Sequence, residues 1–380
     1  MRRRHSVTRF LAGVAAIMLL AACAAGASPT QLPASANPME MPSEMVATAA
    51  PAGSPSRAPT PSGPITHGPV TEVSGTATCP TADLGNATTD AEGVIHYRGG
   101  NFVCTMRTDD PRVSGTHTSG EWSIDWWGEA DLSSGALVQW GTPRLENTGG
   151  AWKGSGSGVY SSDRGDIIVF WYKGTGGYAG LGYFELWTGT EPWTIQGLVF
   201  PGDPPISAGS PPPVAVASPT PTGTPRPTAA ASPTAAAIAY GPVSVVTGSA
   251  VNTYTNMGSP VDVPGGKQFR DFPFIAVDTA NDPRVSGTET EHWNLDGWGS
   301  ESEGISATQW GTVRLQNEGG AWEGSGSGIL SSRGDLIAMW YRGTGTYAGL
   351  AYFALIGPQA EGADDWPIQG QIFPGDPPMP

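Results

Sequence analysis

Gly174-Thr175-Gly176-Gly177-Tyr178-Ala179-Gly180-Leu181-Gly182-Tyr183-Phe184 returns later in the chain as Gly343-Thr344-Gly345-Thr346-Tyr347-Ala348-Gly349-Leu350-Ala351-Tyr352-Phe353. Glycine turns feeding short alternating aromatic runs are written for β-hairpins, not for helices. Working outward from this stretch, further motifs recur in the same order. Asp110-Pro111-Arg112-Val113-Ser114-Gly115 answers Asp282-Pro283-Arg284-Val285-Ser286-Gly287, and Gln139-Trp140-Gly141-Thr142 answers Gln309-Trp310-Gly311-Thr312. Gly149-Gly150-Ala151-Trp152 answers Gly319-Gly320-Ala321-Trp322, and Phe200-Pro201-Gly202-Asp203-Pro204-Pro205 answers Phe373-Pro374-Gly375-Asp376-Pro377-Pro378. Spacing drifts by only a few residues, so insertions fall in loops. The chain therefore carries one β-fold twice.

All 14 tryptophans lie inside the two repeats, which can build real cores. In Glu121–Gly128, Trp122, Ile124 and Trp126 share one face at period two. In Ile167–Tyr172 both faces are apolar, which predicts a central strand covered on both sides. Arg164-Gly165-Asp166 and Arg333-Gly334-Asp335 fit tight turns into that strand. Arg-Gly-Asp is also used by some integrin ligands, but turn chemistry accounts for it here. No segment shows an amphipathic helical period.

Between Trp152 and Tyr160, one face carries Trp152, Gly154, Gly156, Gly158 and Tyr160. In Tyr178–Leu186, one face carries Tyr178, Gly180, Gly182, Phe184 and Leu186. Same-side glycines leave a bare groove where a strand bends or a ring lies flat on the backbone. Both uses suit a closed antiparallel barrel with large rings inside, and closure removes aggregation-prone edges. A barrel is therefore preferred over a sandwich. The Gly-Thr-Gly-x-Tyr-Ala-Gly-Leu run ahead of an aromatic strand resembles the glycine-rich hairpin of allene oxide cyclase and dirigent-type β-barrels. The resemblance covers about a dozen residues in each copy and implies a fold. No catalytic residue of those families has a match in this chain. The whole repeat is also similar to secreted bacterial proteins without an assigned activity.

The amino-terminal stretch reads as an address. Arg2-Arg3-Arg4 precedes a short apolar run, Phe10 to Ala22, too short for a membrane span of about 20 residues. It ends in Leu20-Ala21-Ala22-Cys23, which resembles the lipobox of bacterial lipoproteins. That resemblance implies cleavage before Cys23 and acylation of its thiol and new amino terminus, giving a stable membrane anchor. Residues 1–22 are then a signal peptide and 23–66 a disordered stalk rich in Ala, Pro, Ser and Thr. The first barrel occupies 67–205, a Pro/Thr/Ala-rich disordered linker 206–238, and the second barrel 239–380. Extended at about 3 Å per residue, the linker allows the domains to stand up to about 100 Å apart and move independently. Cys79 and Cys104 lie in the first repeat only and, outside the cytoplasm, pair most simply as a disulfide.

The formal charge is −15, and loss of four leader arginines leaves 15 basic residues against 34 acidic ones. Such a surface repels phosphate backbones, so nucleic acid is not an expected partner. There is no Cys/His ligand set, calcium loop, nucleophile elbow or phosphate loop, so no metal or cofactor is expected. The candidate ligand contacts are Trp122, Trp126 and Trp127 with Asp110 and Arg112, and in the second repeat Trp293 and Trp298 with Asp282 and Arg284. Open indole faces stack on sugars, and an Asp–Arg pair binds anions or hydroxyls. The plainer reading is that the rings fill cores and that Asp-Pro-Arg caps a turn. Asp125, Arg144 and Asp166, with Asp296, Arg314 and Asp335, are the other charged residues common to both copies.

The sequence points to an extracytoplasmic, lipid-anchored protein of the cell envelope, non-catalytic, with a structural role or one in binding a polysaccharide or a small apolar ligand. The alternative is an extracytoplasmic isomerase or hydrolase with a barrel-interior site built from Asp and Arg. Oligomeric state is left open.

Overall fold

The computed structural model describes residues 65–67, 69–129, 134–205, 238–300, 304–359 and 363–378. The leader, Cys23, most of the stalk and nearly all of the linker lie outside the described residues. The first repeat contains β1 (Ile65–His67), β2 (Val70–Asp83), β3 (Asn86–Thr89), β4 (Ile95–Thr108), β5 (Gly115–Gly128), β6 (Gly135–Asn147), β7 (Gly150–Ser161), β8 (Gly165–Gly176), β9 (Leu181–Gly189) and β10 (Trp193–Pro201). A 3₁₀ turn, Pro111–Val113, joins β4 to β5. The second repeat has the same series: β11 (Ile238–Tyr240), β12 (Val243–Thr255), β13 (Val261–Val263), β14 (Gly266–Ala280), β15 (Gly287–Ser300), β16 (Gly304–Asn317), β17 (Gly320–Ser331), β18 (Gly334–Gly345), β19 (Leu350–Ile356) and β20 (Asp365–Pro374). The first strand thus starts inside the stretch assigned to the stalk.

Each sheet closes. The order β1-β2-β10-β9-β8-β7-β6-β5-β4-β3 gains a further β2–β4 pairing, so β2 and β4 to β10 form an eight-stranded antiparallel barrel. β1 and β3 lie against its seam as short hairpin partners. The second repeat closes identically through β12 and β14. Cys79 and Cys104 are disulfide-bonded across the β2–β4 seam. No cysteine stands at the corresponding pair of the second barrel, Asn252 and Ala276.

Period-two alternation sorts the side chains. In β8, Ile168, Phe170 and Tyr172 point into the barrel, while Ile167, Val169 and Trp171 point outward. Inside, rings lie on bare backbone: a Cβ at Gly156 would sit 2.3 Å from Phe170 Cδ1, and one at Gly141 2.4 Å from Trp122 Cε3. In β9, the outward Gly182 accepts the ring of Phe200 in the same way. Tyr178 departs from the face expected of it: the turn ahead of β9 folds it inward, where it stacks on Trp152 at 5.1 Å.

The outward apolar face is covered by the other barrel, so the two domains are not held apart. One continuous core includes Trp127, Val169, Trp171 and Phe200 of the first repeat with Trp298, Ala338, Phe353 and Phe373 of the second. The contacts come in reciprocal pairs. Trp127 meets Phe373, and Phe200, the counterpart of Phe373, meets Trp298, the counterpart of Trp127, each at 5.9 Å between centroids. Arg164 donates to the Val246 carbonyl at 2.7 Å, and Arg333 to the Val73 carbonyl at 3.4 Å. This is an isologous, pseudo-two-fold contact made within one chain. Superimposed on it is a single-sided anchor: the Glu72 carboxylate accepts from Ser306 Oγ at 3.0 Å and from Ser332 N and Oγ at 2.5 Å. Burial of this many aromatic and aliphatic side chains outweighs the freedom that the linker would otherwise allow.

Cleavage at a protease site inserted within 206–238 is therefore expected to leave both halves eluting together at unchanged size in size-exclusion chromatography. Separate elution of the halves would contradict the interface.

Candidate functional site

The tryptophans expected to face a ligand are buried, for two different reasons. Trp122 and Trp126 occupy inward positions of β5, 3 % and 2 % exposed. Trp293 lies inside the second barrel, and Trp127 and Trp298 are covered by the opposite domain. None offers an open face to a polysaccharide at the surface. The Asp–Arg pairs are likewise engaged. Asp110 Oδ1 accepts from Arg112 N at 2.9 Å, capping the 3₁₀ turn, and Arg112 Nη2 bonds Asp110 Oδ2 at 2.6 Å and Thr71 Oγ1 at 2.7 Å. Asp282 and Arg284 repeat this with Ser244 Oγ at 2.7 Å. Burial works to raise the Asp282 carboxyl, but the Arg284 bonds and charge outweigh it and hold the group below its usual range. Trp152 Nε1 then donates to the Arg112 carbonyl at 2.8 Å, and Trp322 Nε1 to that of Arg284 at 2.7 Å. The Asp-Pro-Arg turn is thus a plug at one end of each barrel.

Asp125 and Asp296 are surface partners of Arg98 and Arg270, each at 2.6 Å. His96 Nδ1 lies 2.7 Å from Asp125 and Nε2 3.1 Å from Asp90, and its hydrogen bond to Asp125 raises its pKa against the effect of burial. Arg144 pairs with Glu146, and Arg314 with Glu323 at 3.5 Å, both on the outside. Arg164 of the Arg-Gly-Asp turn reaches the second barrel while Asp166 turns into the first, so the triplet presents no joint surface.

Asp166 leads to the site itself. At the end of the first barrel away from the Asp-Pro-Arg plug, the interior opens into a cavity of about 260 Å³. Indoles of Trp122, Trp126, Trp187 and Trp193 line it, with the Cys79–Cys104 disulfide in one wall. Its polar floor is a relay. Trp122 Nε1 donates to Gln139 Oε1 at 3.0 Å, Gln139 Nε2 to Asp166 Oδ1 at 2.7 Å, and Trp193 Nε1 to Asp166 Oδ2 at 2.8 Å. Burial pushes the Asp166 carboxyl up to about 6, against the lowering effect of those two bonds. The Gln–Asp bond is repeated in the second barrel, where Gln309 Nε2 donates to Asp335 Oδ1 at 3.0 Å.

Beneath the cavity lies a polar layer that the sequence reading did not single out. His117 and Glu185 point inward, 1 % and 0 % exposed. His117 packs its ring 4.9 Å from Trp187 and 5.3 Å from Phe170. Burial alone drives its pKa down to about 3, so it is neutral. Burial pushes Glu185 up to about 8, opposed by the nearby Trp187, Tyr172 and Tyr183 donors, so it is mostly protonated at pH 7. None of these donors bonds it with good geometry.

The second barrel fills the same level differently. Glu289 stands where His117 does, Glu291 where Ser119 does, and Asp278 where Met106 does, while Ala354 replaces Glu185. Tyr341 donates its hydroxyl to Glu289, and Trp293 its indole N–H to Glu291. Burial raises all three carboxyls, Glu289 to about 7, and mutual repulsion adds to the rise of Asp278 and Glu291. A signal for these groups existed: Glu185 alternates between Tyr183 and Trp187, and Glu289 and Glu291 precede Trp293 at period two. In the first repeat a bulge between Gly120 and Ser123, with Glu121 at φ 54°, shifts the parity and hides His117 from that pattern. Among the described residues no group of three or more His, Cys, Asp or Glu is arranged to hold a metal ion.

No family model, no curated protein and no solved structure matches the chain.

The buried acids give the stability a definite pH dependence. Burial raises Glu185 to about 8 and Glu289 to about 7 in the folded state, above the usual glutamate value of 4.5. The folded state therefore binds more protons, and stability declines as pH rises from about 4.5 through those values, by about 1.4 kcal/mol per unit of pKa difference. His117 has the opposite sign: its depressed pKa makes stability fall as pH drops from 6.5 toward about 3. Glu185→Gln is expected to remove a few kcal/mol of the alkaline decline, read by urea denaturation at pH 5 and pH 8.5. An unchanged difference between the two pH values would show that Glu185 is not buried as an acid.

Proposed function

We propose that this is a lipid-anchored, extracytoplasmic binding protein that holds a small, largely apolar ligand inside its first barrel. The observation that supports this reading most is the indole-lined cavity of about 260 Å³ at one end of that barrel. Its volume lies just below the roughly 300–1,000 Å³ of drug-sized sites, and its lining of rings with a few converging polar groups is the usual composition of such a site. A polysaccharide fits it poorly. Three of the four cavity indoles already donate their N–H, to Gln139, Glu129 and Asp166, so the hydroxyls of a sugar would find few free donors.

The enzyme alternative lacks its expected Asp–Arg pair. Among the described residues no arginine lines the cavity, and Arg112 and Arg144 make their bonds elsewhere. The two barrels also differ in their buried polar layer, which argues against two equal sites acting by avidity on a repeating ligand. The lipobox-like Leu20-Ala21-Ala22-Cys23 supports the envelope address. Among the described residues no helix is long and apolar enough to cross a membrane.

Titration of the mature chain with benzyl alcohol and 3,3-dimethyl-1-butanol is expected to perturb tryptophan fluorescence and raise the melting temperature. Filling the cavity by Leu137→Trp should abolish both effects with the β circular dichroism retained. Binding that survives a filled cavity, or no response to any such probe, would sink the reading. Cys23→Ala is expected to release the protein from the membrane fraction, and mass spectrometry of the wild-type amino-terminal peptide should show acyl chains. An unmodified Cys23 would remove the anchor.

A further inference from the structure

We propose that the ligand of the first barrel carries an organic cation, an ammonium group on a small apolar body. This rests on the cavity being a ligand site and adds the chemistry that site selects. Asp166 is the one carboxylate among the described residues lining the cavity, and no lysine, arginine or histidine lines it. Its two protein partners are a neutral amide and a neutral indole, one on each oxygen. A carboxylate accepts about four hydrogen bonds, so each oxygen keeps a lone pair for a further donor or a cation. The chain thus builds an anion into a wall of rings and supplies no counter-charge.

The rings complete the argument. Trp122, Trp126, Trp187 and Trp193 all border the same space. Indole is the best side chain for attracting a cation to its face, and cages of such rings select alkylated ammonium groups. An anionic ligand would meet Asp166 unfavourably. A neutral ligand would leave its charge unanswered.

Comparison of the two barrels separates this role from a structural one. The second barrel keeps the Gln309–Asp335 bond and has Trp293 and Trp366 in place of Trp122 and Trp193. Gly297 stands where Trp126 does, and Ile356 where Trp187 does. The Gln–Asp unit is therefore shell structure common to both, while the two extra indoles belong to the first barrel alone. Tyr97 and Tyr160 also border the cavity, and below it His117 is neutral and Glu185 mostly protonated at pH 7. Glu191, across the rim, is bonded to Cys79 N at 2.8 Å, and Asp163 pairs with Arg164 at 3.4 Å. Asp166 is thus the anion that a bound cation meets, and binding draws it into its ionised form.

The test compares choline with its uncharged isostere 3,3-dimethyl-1-butanol by calorimetry on the mature chain at pH 7.5. Wild type is expected to prefer choline at least tenfold, and Asp166→Asn to lose that preference while still binding the alcohol. Asp335→Asn should leave the preference intact. Should Asp166→Asn fail to fold, the wild-type preference read at pH 5 and pH 8 replaces it, and it should grow with pH as Asp166 ionises. Equal affinity for the two probes, or a preference that survives Asp166→Asn or does not change with pH, overturns the cation while the apolar cavity stands. If neither probe nor benzyl alcohol binds, both readings fall together.

Discussion

A ring laid flat on a glycine is the contact from which this molecule is assembled. Trp122 on Gly141, Phe170 on Gly156 and Tyr183 on Gly197 each occupy space that any Cβ would claim. Those glycines let large rings enter an eight-stranded shell whose interior has room for little more than side chains. The same device continues in the second repeat with Trp293 on Gly311 and Tyr352 on Gly370, although Met339 replaces the phenylalanine over Gly326. Because the contact requires the absence of a side chain on one strand and a ring on the next, it also fixes which residues of neighbouring strands lie opposite. Register, closure and the inward set of side chains follow from it.

Closing a barrel leaves its outer face to be accounted for. In β8 and β9 that face is Ile167, Val169, Trp171, Phe184 and Leu186, too apolar to leave in water. The duplicate supplies the cover, and its own equivalent face is covered in return. Duplication thus yields a self-complementary pair inside one chain, held by paired arginine-to-carbonyl bonds. The copies differ at the one-sided Glu72 anchor and, more widely, on the inside. The shell tolerates exchange of His117 for Glu289 or Glu185 for Ala354 because shell contacts are made by rings, glycines and backbone. An interior can therefore diverge while its container stays fixed, and the indoles of Trp126 and Trp187, answered by Gly297 and Ile356 in the second barrel, are such a divergence.

How much of the site could be read in advance depends on which neighbours a residue needs. Asp166 stood out only as the end of a turn motif present twice. Its meaning comes from Gln139 on β6 and Trp193 on β10, each 27 positions away and two strands across the sheet from β8. Trp122 and Trp126 were singled out as ligand contacts and do line the cavity, yet from within rather than from the surface. Trp127, one residue on, faces the opposite way and ends in the domain contact. Asp110 and Arg112 resolved as the turn cap that their spacing allowed.

The sequence by itself determined the β class, the duplication and the alternation that sends Ile168, Phe170 and Tyr172 to one side, and it favoured a closed sheet over a sandwich. These are local or periodic properties, carried by residues a few positions apart. Only the tertiary structure decided what lies on the other side of β8, where a linker able to span about 100 Å instead returns the chain to bury its second barrel against the first. That outcome depends on contacts between residues more than a hundred positions apart, such as Trp171 with Ser327 at 3.1 Å, and no local pattern encodes such a pairing.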